Sequence, residues 1–316
     1  MKLTELLSIR YPIILAPMFL VSNVKMLKEA AKAGITGAIP ALNFRTIPEL
    51  EEAILELKKN CEGPFGINLI VNKSNFLYLE QLEVCCRLKV DYIITSLGSP
   101  KLTIEKAHAA GVKVFCDVTD LKYALKVESL GADAVIAVCK EAGGHAGPMS
   151  GEELIPLLKS NCKIPVISAG GVSTGKGIKE RMELGASGLS IGSLFIASDE
   201  AGVSQEYKQA CVDYKAEDIV MTTKLSGTPC SVIKTPYVER IGTEQSWLER
   251  VLNKNKWLKK WVKALTFYRG MKALKQAALG ATYKTLWVAG PSIENIHEIL
   301  PVSKIVEDLV EDYEAS

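Results

Sequence analysis

The chain contains no apolar run of the roughly 18 residues that a membrane-spanning helix needs. Residues 1–10 alternate polar and apolar side chains, so they also lack the continuous apolar core of a signal peptide. Positive and negative charges nearly cancel, with 38 Lys and Arg against 36 Asp and Glu and a net charge of +2. We therefore expect no membrane span, and this balance argues against a general nucleic-acid binder.

Histidine is scarce, and the cysteines show no pairing pattern. Only three His occur, which excludes a His-rich metal site, and we expect no metal. The eight Cys are scattered without a CxxC pair, and a chain of 316 residues is too long to need disulfide staples. This pattern predicts free thiols in a reducing cytosol. No GxxxxGK[ST] sequence is present, so a nucleotide triphosphatase is not indicated.

The composition is that of a globular protein, with 48% hydrophobic and 23% charged residues. Within it, short apolar runs recur every 20–30 residues or so, roughly the length of a strand plus a helix. They cover residues 13–16, 37–39, 65–70, 92–94, 112–115, 134–138, 165–168 and 188–191. Near-continuous apolar runs of this kind are typical of strands buried on both faces of a parallel sheet.

The segments between these runs predict helices at residues 23–33, 47–60, 100–110, 120–130 and 174–184. Several end in the same way, since Gly111, Gly131 and Gly185 each close a helix and the next apolar run follows almost at once. This repetition predicts an α/β protein with the TIM (β/α)8 barrel fold. A doubly wound open sheet is the alternative, but it normally carries a glycine fingerprint after its first strand. Residues 16–20 contain no glycine.

The regular alternation stops after Phe195. We predict a barrel made of residues 1–198 and 285–316, with residues 199–284 as a helical lid or insert after strand eight, and one or two terminal helices over 291–313. Residues 247–284 are basic and helix-forming. A solvated helical face is the preferred interpretation of that stretch. A helix on a membrane surface and a site for an acidic partner, such as an acyl-carrier protein, are the alternatives.

Active sites of such barrels lie at the carboxyl ends of the strands, and the informative residues of this chain follow predicted strands. They are Ala16, Pro17 and Met18 after the first strand, Asn68 near the end of the third, Gly143 and His145 after the sixth, Gly170 and Gly171 after the seventh, and Gly192 and Ser193 after the eighth.

The glycines after strands seven and eight predict a phosphate site. Barrels often bind phosphate with these two loops. Gly170 and Gly171 let backbone N–H groups approach an anion without a Cβ in the way, and Ser193 adds a hydroxyl donor. We expect the helix that starts near Thr174 to add the positive end of its dipole. Tight turns alone are the alternative explanation of the glycines.

His145 lies in a glycine-rich loop rather than on an apolar helix face. With an ordinary pKa near 6.5, such a side chain can take up a proton at neutral pH, so we predict a functional role. His108 and His297 lie in predicted helices and are assigned structural roles. Cys139 comes shortly before His145, and a Cys–His nucleophile is a weaker alternative, because no third residue that would orient the pair can be named.

Asn68 and Met18 are compatible with ligand contacts, although each also has a purely structural explanation. The amide of Asn68 both donates and accepts hydrogen bonds, which suits the edge of a heterocycle. A hydrogen bond to a neighbouring loop explains it equally well. Met18 follows Pro17 and could pack on a flat ring or only fill the barrel mouth.

Two motifs together resemble the nitronate monooxygenase family and the related FMN-dependent enoyl-[acyl-carrier-protein] reductases. Residues 141–147, Glu-Ala-Gly-Gly-His-Ala-Gly, match the family pattern E-A-G-G-H-x-G, and residues 168–172, Ser-Ala-Gly-Gly-Val, match its strand-seven pattern. The likeness runs from residue 12 to Phe195 and returns at residues 287–290. It implies a flavoprotein oxidoreductase that holds FMN at the barrel mouth without a metal.

The resemblance also implies roles for individual residues. Ala16, Pro17, Met18 and Asn68 would touch the flavin ring, and Gly170, Gly171, Gly192 and Ser193 would bind its phosphate. Gly143 of the shared motif would also belong to the cofactor site. His145 would face the flavin and act as a base or orient the substrate. Two departures stand out: Val138-Cys139 replaces a Gln-Gly or similar pair, and Gly192-Ser193-Leu194-Phe195 lacks the Arg of the common Gly-Thr-Arg-Phe.

The expected activity is oxidation of alkyl nitronates with dioxygen. An NAD(P)H-dependent enoyl-thioester or quinone reductase is the alternative, and a phosphate-ligand binding barrel without redox activity is the third. The expected partners are the small-molecule substrate and dioxygen. An acidic carrier protein and a second copy of the chain are further candidates.

Overall fold

The computed structural model of the chain describes residues 1–72, 74–224, 229–244 and 286–316. Its strands are β1 Ile13–Leu15, β2 Thr36–Pro40, β3 Phe65–Ile70, β4 Tyr92–Ser96, β5 Lys113–Val118, β6 Ala134–Val138, β7 Gly144–His145, β8 Val166–Ala169, β9 Gly188–Ile191, β10 Ile219–Thr222 and β11 Cys230–Ile233. Strands β1 to β6, β8 and β9 form a closed barrel in that order. All adjacent strands of the barrel run parallel, and the pairing of β1 with β9, in which Leu15 lies opposite Ile191, closes the ring. The prediction of a TIM barrel is confirmed.

The helices are α1 Leu3–Leu7, α2 Val24–Lys32, α3 Ile47–Asn60, α4 Tyr78–Arg87, α5 Lys101–Ala109, α6 Leu121–Ser129, α7 Gly151–Asn161, α8 Gly175–Glu183, α9 Gln205–Asp213, α10 Pro236–Ile241 and α11 Val302–Ala315. The five predicted helices are confirmed to within one residue at each end. Their limits follow from local chemistry. The side chains of Asn23, Thr46 and Asp120 accept hydrogen bonds from the first turns of α2, α3 and α6.

The helix ends confirm the predicted use of glycine. Gly111, Gly131 and Gly185 have φ angles of +77°, +94° and +106°. Residues with a Cβ avoid this left-handed region, whereas glycine adopts it without steric penalty. Each turn leads the chain from the helix into the next strand.

Two apolar layers hold the barrel together, one inside the ring of strands and one between the strands and the helices. Inside, the buried rings of Tyr92 and Phe115 stack with their centroids 4.9 Å apart. The Tyr92 hydroxyl donates a hydrogen bond to the Gly37 carbonyl at 2.9 Å. Helix α1 closes the amino-terminal end, since Leu3 and Leu7 belong to the same interior cluster. The opposite end, where the strands have their carboxyl termini, stays open.

The chain after β9 brings residues back over that open end. A 3-10 helix over Ser193–Ala197 is followed by α9, and β10 and β11 then form an antiparallel sheet with β7. These two strands were not predicted. Residues 245–285, which include the whole basic stretch over 247–284, lie outside the described residues, so the predicted insert over 199–284 and its interpretations stay predictions. Helix α11 packs on α8 and α2.

The prediction of free thiols is confirmed, because all eight Cys are free in the structure. In the ranges that the structure covers, none of the helices has the length and apolarity to cross a membrane. In the same ranges, no cluster of three or more His, Cys, Asp or Glu side chains could hold a metal ion.

Candidate active site

A cavity of about 630 Å³ opens at the carboxyl ends of the barrel strands, and we call it the mouth cavity. Every residue predicted for the site lines it, namely Ala16, Pro17, Met18, Asn68, Gly143, His145, Gly170, Gly171, Gly192 and Ser193. Residues scattered over most of the chain thus meet in one space. The volume lies within the range of about 300–1,000 Å³ that is typical of ligand pockets.

Close backbone packing explains the paired glycines after β8. Gly170 and Gly171 have φ angles of +107° and +79°. A Cβ added to Gly170 would lie 2.5 Å from the backbone nitrogen of Ala142, and one added to Gly171 would lie 2.8 Å from Glu141 Cβ. Only glycine fits both positions, and its bare backbone borders the cavity. Exposed N–H groups in such a turn can bind an anion.

The opposite wall is built by the segment after β9. Ser193 Oγ accepts a hydrogen bond from the Gly290 N–H at 2.9 Å, so its own proton is available to another acceptor. A Cβ added to Gly143 would lie 2.8 Å from both the Gly290 nitrogen and Ser193 Oγ. Gly143, Ser193 and Gly290 are therefore packed against one another, and the returning chain supports the rim of the cavity.

The predicted contribution of the α8 dipole is wrong. Residues 173–175 line a second cavity of about 310 Å³ together with residues of α11, while Thr174 and Gly175 do not line the mouth cavity. The Lys176 N–H donates to Asp312 Oδ2 at 3.1 Å, so a carboxylate of α11 already occupies this helix end. The 3-10 helix that begins at Ser193 does border the mouth cavity.

Cationic side chains do not line the mouth cavity in the described parts of the chain. The guanidinium of Arg181 lies behind the glycine loop, with Nη2 3.5 Å from the position of a Cβ added to Gly171. Arg181 is buried, and its Nη1 pairs with Glu152 Oε1 at 2.7 Å. Any anion at this site would be bound mainly by backbone N–H groups and the Ser193 hydroxyl.

The segment after β1 is held in place by Ser22. Its Oγ donates to the Ala16 carbonyl at 2.9 Å and accepts from the Met18 N–H at 2.8 Å. Met18 reaches the far loop, because its Sδ lies 3.4 Å from a Cβ added to Gly192. The first and last barrel strands therefore share one wall of the cavity.

Asn68 belongs to a chain of hydrogen bonds across three strands. Its Nδ2 donates to the Ile94 carbonyl at 3.2 Å and to Ser96 Oγ at 2.8 Å. Ser96 Oγ in turn donates to Asp117 Oδ2 at 2.5 Å. Burial raises the pKa of Asp117 to about 6, against the opposing effect of the Ser96 hydrogen bond. The amide oxygen of Asn68 is left for a ligand.

His145 is placed by a strand pairing that its sequence does not reveal. It forms the short strand β7 with Gly144 and lies opposite Cys230 of β11. Its side chain is exposed to the mouth cavity, yet protein surrounds it, and this desolvation lowers its pKa from the ordinary value. The neutral imidazole, which can accept a proton, therefore predominates at pH 7.

The alternative of a Cys139 nucleophile is contradicted. Cys139 is fully buried, and burial raises the pKa of its thiol to about 11. The thiol donates to the Ala137 carbonyl instead of reaching the cavity. The structural role of His108 is supported, since it does not line the mouth cavity and its Nε2 lies 2.9 Å from Asp133 Oδ2. The predicted helical position of His297 is wrong, because this residue lies in the loop before α11 and lines the second cavity rather than the mouth cavity.

Several cavity residues were missed by the sequence analysis. They include Ser96 at the end of β4 and Asp117 in β5. For Asp117 a signal was available, namely a carboxylate within the apolar run Phe115-Cys116-Asp117-Val118. Tyr207 lines the cavity, stacks on Trp287 at 5.8 Å and donates to the Val288 carbonyl at 2.6 Å. No local pattern marks that contact.

Fold and cavity together define a TIM-barrel protein with a cavity of ligand-binding size at the carboxyl ends of its strands. The sequence profile described as nitronate monooxygenase matches residues 1–312, so the chain belongs to the nitronate monooxygenase family. It is an oxidoreductase, in a family whose members depend on a flavin.

Curated relatives carry two kinds of name. The chain is 31% identical over 239 residues to a (3aS,4S,5R,7aS)-5-hydroxy-7a-methyl-1-oxo-octahydro-1H-indene-4-carboxyl-CoA dehydrogenase of Rhodococcus jostii, covering 76% of this chain and 67% of that protein. It is 30% identical over 285 residues to a probable nitronate monooxygenase of Staphylococcus saprophyticus, covering 76% of this chain and 80% of that protein.

Solved structures show the same architecture. FabK from Thermotoga maritima matches with a TM-score of 0.86 at 29% identity, over 99% of this chain and 96% of that chain. A nitroalkane oxidase from Streptomyces ansochromogenes matches with a TM-score of 0.81 at 22% identity, over 99% of this chain and 98% of that chain. The second likeness supports the fold alone.

Proposed function

We propose that the protein is an FMN-dependent oxidoreductase of the nitronate monooxygenase type, which oxidises alkyl nitronates with dioxygen. The observation that carries the proposal is the meeting of the glycine loop, Ser193 and the His145 imidazole around one cavity. The relative named as a probable nitronate monooxygenase supports the same substrate class.

The residues present fit FMN. Gly170 and Gly171 border the cavity with a backbone that no Cβ obscures, and added Cβ atoms would strike neighbouring residues. Together with Gly192 and Ser193, they would hold the phosphate. Asn68 offers an amide oxygen to the ring, and Ala16, Pro17 and Met18 supply an apolar wall for it. When bound, FMN supplies the electron-transfer chemistry, while the protein binds and orients the reactants.

His145 is assigned the role of base toward a neutral nitroalkane, or of orienting group toward a nitronate. The depressed pKa keeps its ring neutral at pH 7, so a ring nitrogen can accept a proton from a substrate carbon. Its exposure to the cavity gives a substrate direct access. The pairing of β7 with β11 orients the loop that carries it.

The test begins with the absorption spectrum of the purified protein, which should be yellow or become yellow with added FMN. NADH is then added anaerobically. Absence of bleaching, combined with oxygen consumption on addition of an alkyl nitronate, is the expected result. A protein that neither carries nor binds FMN would refute the proposal.

An NAD(P)H-dependent reductase of acyl thioesters is the second candidate. A relative named as a carboxyl-CoA dehydrogenase covers 76% of this chain at 31% identity, and its name points to a thioester. Rapid bleaching of the flavin by NADH or NADPH, reversed by an enoyl thioester, would favour this candidate over the first. Testing an acyl-carrier protein and CoA as carriers would also test the proposed acidic partner.

Further proposals concern the insert, the cellular compartment and the partners. We retain residues 199–284 as an insert that covers the mouth, since its strand β11 already pairs with the His145 loop. Free thiols at all eight cysteines suit a reducing compartment, and we place the enzyme in the cytosol. Nucleic acid has no role in the proposal. A homodimer is testable by light scattering.

A further inference from the structure

The hydrogen-bonded chain at the floor of the mouth cavity ends on a carboxyl group that the proposed function does not use. It crosses neighbouring strands β3, β4 and β5 through Asn68, Ser96 and Asp117. All three side chains line the cavity. A ligand that occupies the floor therefore meets an amide and a carboxyl group side by side.

The Ile94 carbonyl determines which group donates and which accepts in each of these hydrogen bonds. The Ile94 carbonyl can only accept, so the amide atom 3.2 Å from it must be Nδ2 of Asn68. The same Nδ2 donates to Ser96 Oγ, and the single hydroxyl proton of Ser96 then goes to Asp117 Oδ2. Two consequences follow. Asn68 presents Oδ1, an acceptor, to a ligand, and a proton taken up by Asp117 belongs on its Oδ1.

The surroundings of Asp117 favour uptake of that proton. In the described parts of the chain, no lysine or arginine lines the cavity, and Asp117 lies opposite apolar Ile136 of β6. Burial raises the pKa of the carboxyl to about 6. The titratable groups coupled to it are Cys116 on its own strand and Tyr123 from α6, and His145, Tyr207 and Cys230 line the same cavity.

We propose that Asp117 in its acid form donates a hydrogen bond to a ring carbonyl of the flavin while Asn68 Oδ1 accepts from the adjacent ring N–H. This inference rests on the proposed function. The imide edge of a flavin carries an N–H between two carbonyl groups, and the protein offers a matching acceptor beside a donor. Binding of the cofactor then takes up one proton, and an ionised Asp117 opposes it.

The test compares FMN binding by wild-type protein freed of flavin with binding by Asp117→Asn. Quenching of FMN fluorescence gives Kd from about pH 5.5 to 8.5. Above the pKa that Asp117 has in the flavin-free protein, the wild-type Kd should rise about tenfold per pH unit relative to that of the variant, because binding takes up one proton. The amide of the Asp117→Asn variant donates a hydrogen bond at every pH, so its Kd lacks this dependence. Titration of the FMN phosphate affects both proteins equally and cancels in the ratio of their Kd values. Glu105→Gln, an exposed acid on α5, should behave as wild type.

Ser96→Ala separates this role from a purely structural one. Loss of the Ser96 hydrogen bond removes stabilisation of the carboxylate, so the pKa of Asp117 rises and the onset of weaker binding moves to higher pH. A structural role predicts weaker binding without such a shift. Calorimetry with riboflavin, which has no phosphate, tests proton uptake by the wild-type protein directly. The binding enthalpy, measured in buffers of different ionisation enthalpy, should show that a proton is taken up. This measurement does not depend on whether Asp117→Asn folds.

The outcomes are distinct. If wild type and Asp117→Asn bind FMN with parallel pH profiles, or riboflavin binds without proton uptake, the Asp117 inference is overturned and the proposed function stands. If wild type binds no FMN at any pH, the proposed function fails, and this inference fails with it.

Discussion

Replacing Gly171 by Ala tests the glycine loop on which the proposed function depends. Gly171 has a φ angle of +79°, and an added Cβ would lie 2.8 Å from Glu141 Cβ. Gly111, at the end of α5, offers a matched control. Its φ angle is +77°, but nothing lies within 4 Å of an added Cβ. The two substitutions therefore impose the same backbone cost and differ in what surrounds the new methyl group.

We expect both variants to lose about 1–2 kcal/mol of stability, because that is the cost of a left-handed conformation for a residue with a Cβ. Gly171→Ala should lose about 1–3 kcal/mol more, because the methyl group must displace the Glu141 side chain or its own loop. Displacement of the loop should also break at least one hydrogen bond to the phosphate. Such a bond to a charged group contributes about 1.5–3 kcal/mol, equivalent to roughly 10- to 150-fold in Kd.

The assay has two parts. Urea unfolding of the flavin-free variants gives the stability loss, and fluorescence titration with FMN gives Kd for each. We expect Gly111→Ala to bind FMN as wild type does, despite its lower stability. If Gly171→Ala also binds FMN with wild-type affinity, the glycine loop does not hold the phosphate, and the reasoning is refuted.

Three further predictions concern the imidazole and the barrel interior. His145→Asn should retain FMN but lose roughly 100- to 10,000-fold in kcat/KM toward neutral nitroalkanes and much less toward nitronates, because only the former need a base; equal losses on both would contradict the base role. In the wild type, that nitroalkane activity should be fully present at neutral pH and fall on acidification, with an inflection below 6.5, because the pKa of His145 is lowered and only its neutral form accepts a proton. An inflection above 6.5, or activity that rises on acidification, would count against it. Gly66→Ala should destabilise the protein by about 1–3 kcal/mol or more, since a Cβ there would lie 2.2 Å from the buried Tyr92 ring. Urea unfolding measures this loss, and an unchanged midpoint would contradict the described packing.

Most of the barrel could be predicted from the sequence because its signals are local. Each strand is a short apolar run, and several of the predicted helices carry a capping residue at the start and a stop glycine just after the end, as α2 and α6 do. The location of the site follows from the same repeat, since the carboxyl ends of parallel strands meet at one end of a barrel. Gly170, Gly171 and His145 could therefore be assigned to one cavity before any coordinates were available.

The interactions within the site depend on residues that are far apart in the chain. Lys176 meets Asp312, 136 positions away, and that contact takes the α8 terminus out of the proposed phosphate site. The pairing of β7 with β11 is too short to leave a periodic signal, yet it places His145 beside Cys230.

Local apolar periodicity and helix-capping chemistry thus determined the barrel and the end of it that carries the site, since both are encoded within a few residues. Only the tertiary structure decided that Asn68, Ser96 and Asp117 share one chain of hydrogen bonds. The physical reason is the register between β3, β4 and β5, which sets side chains from three separate repeats within 3 Å of one another at each link.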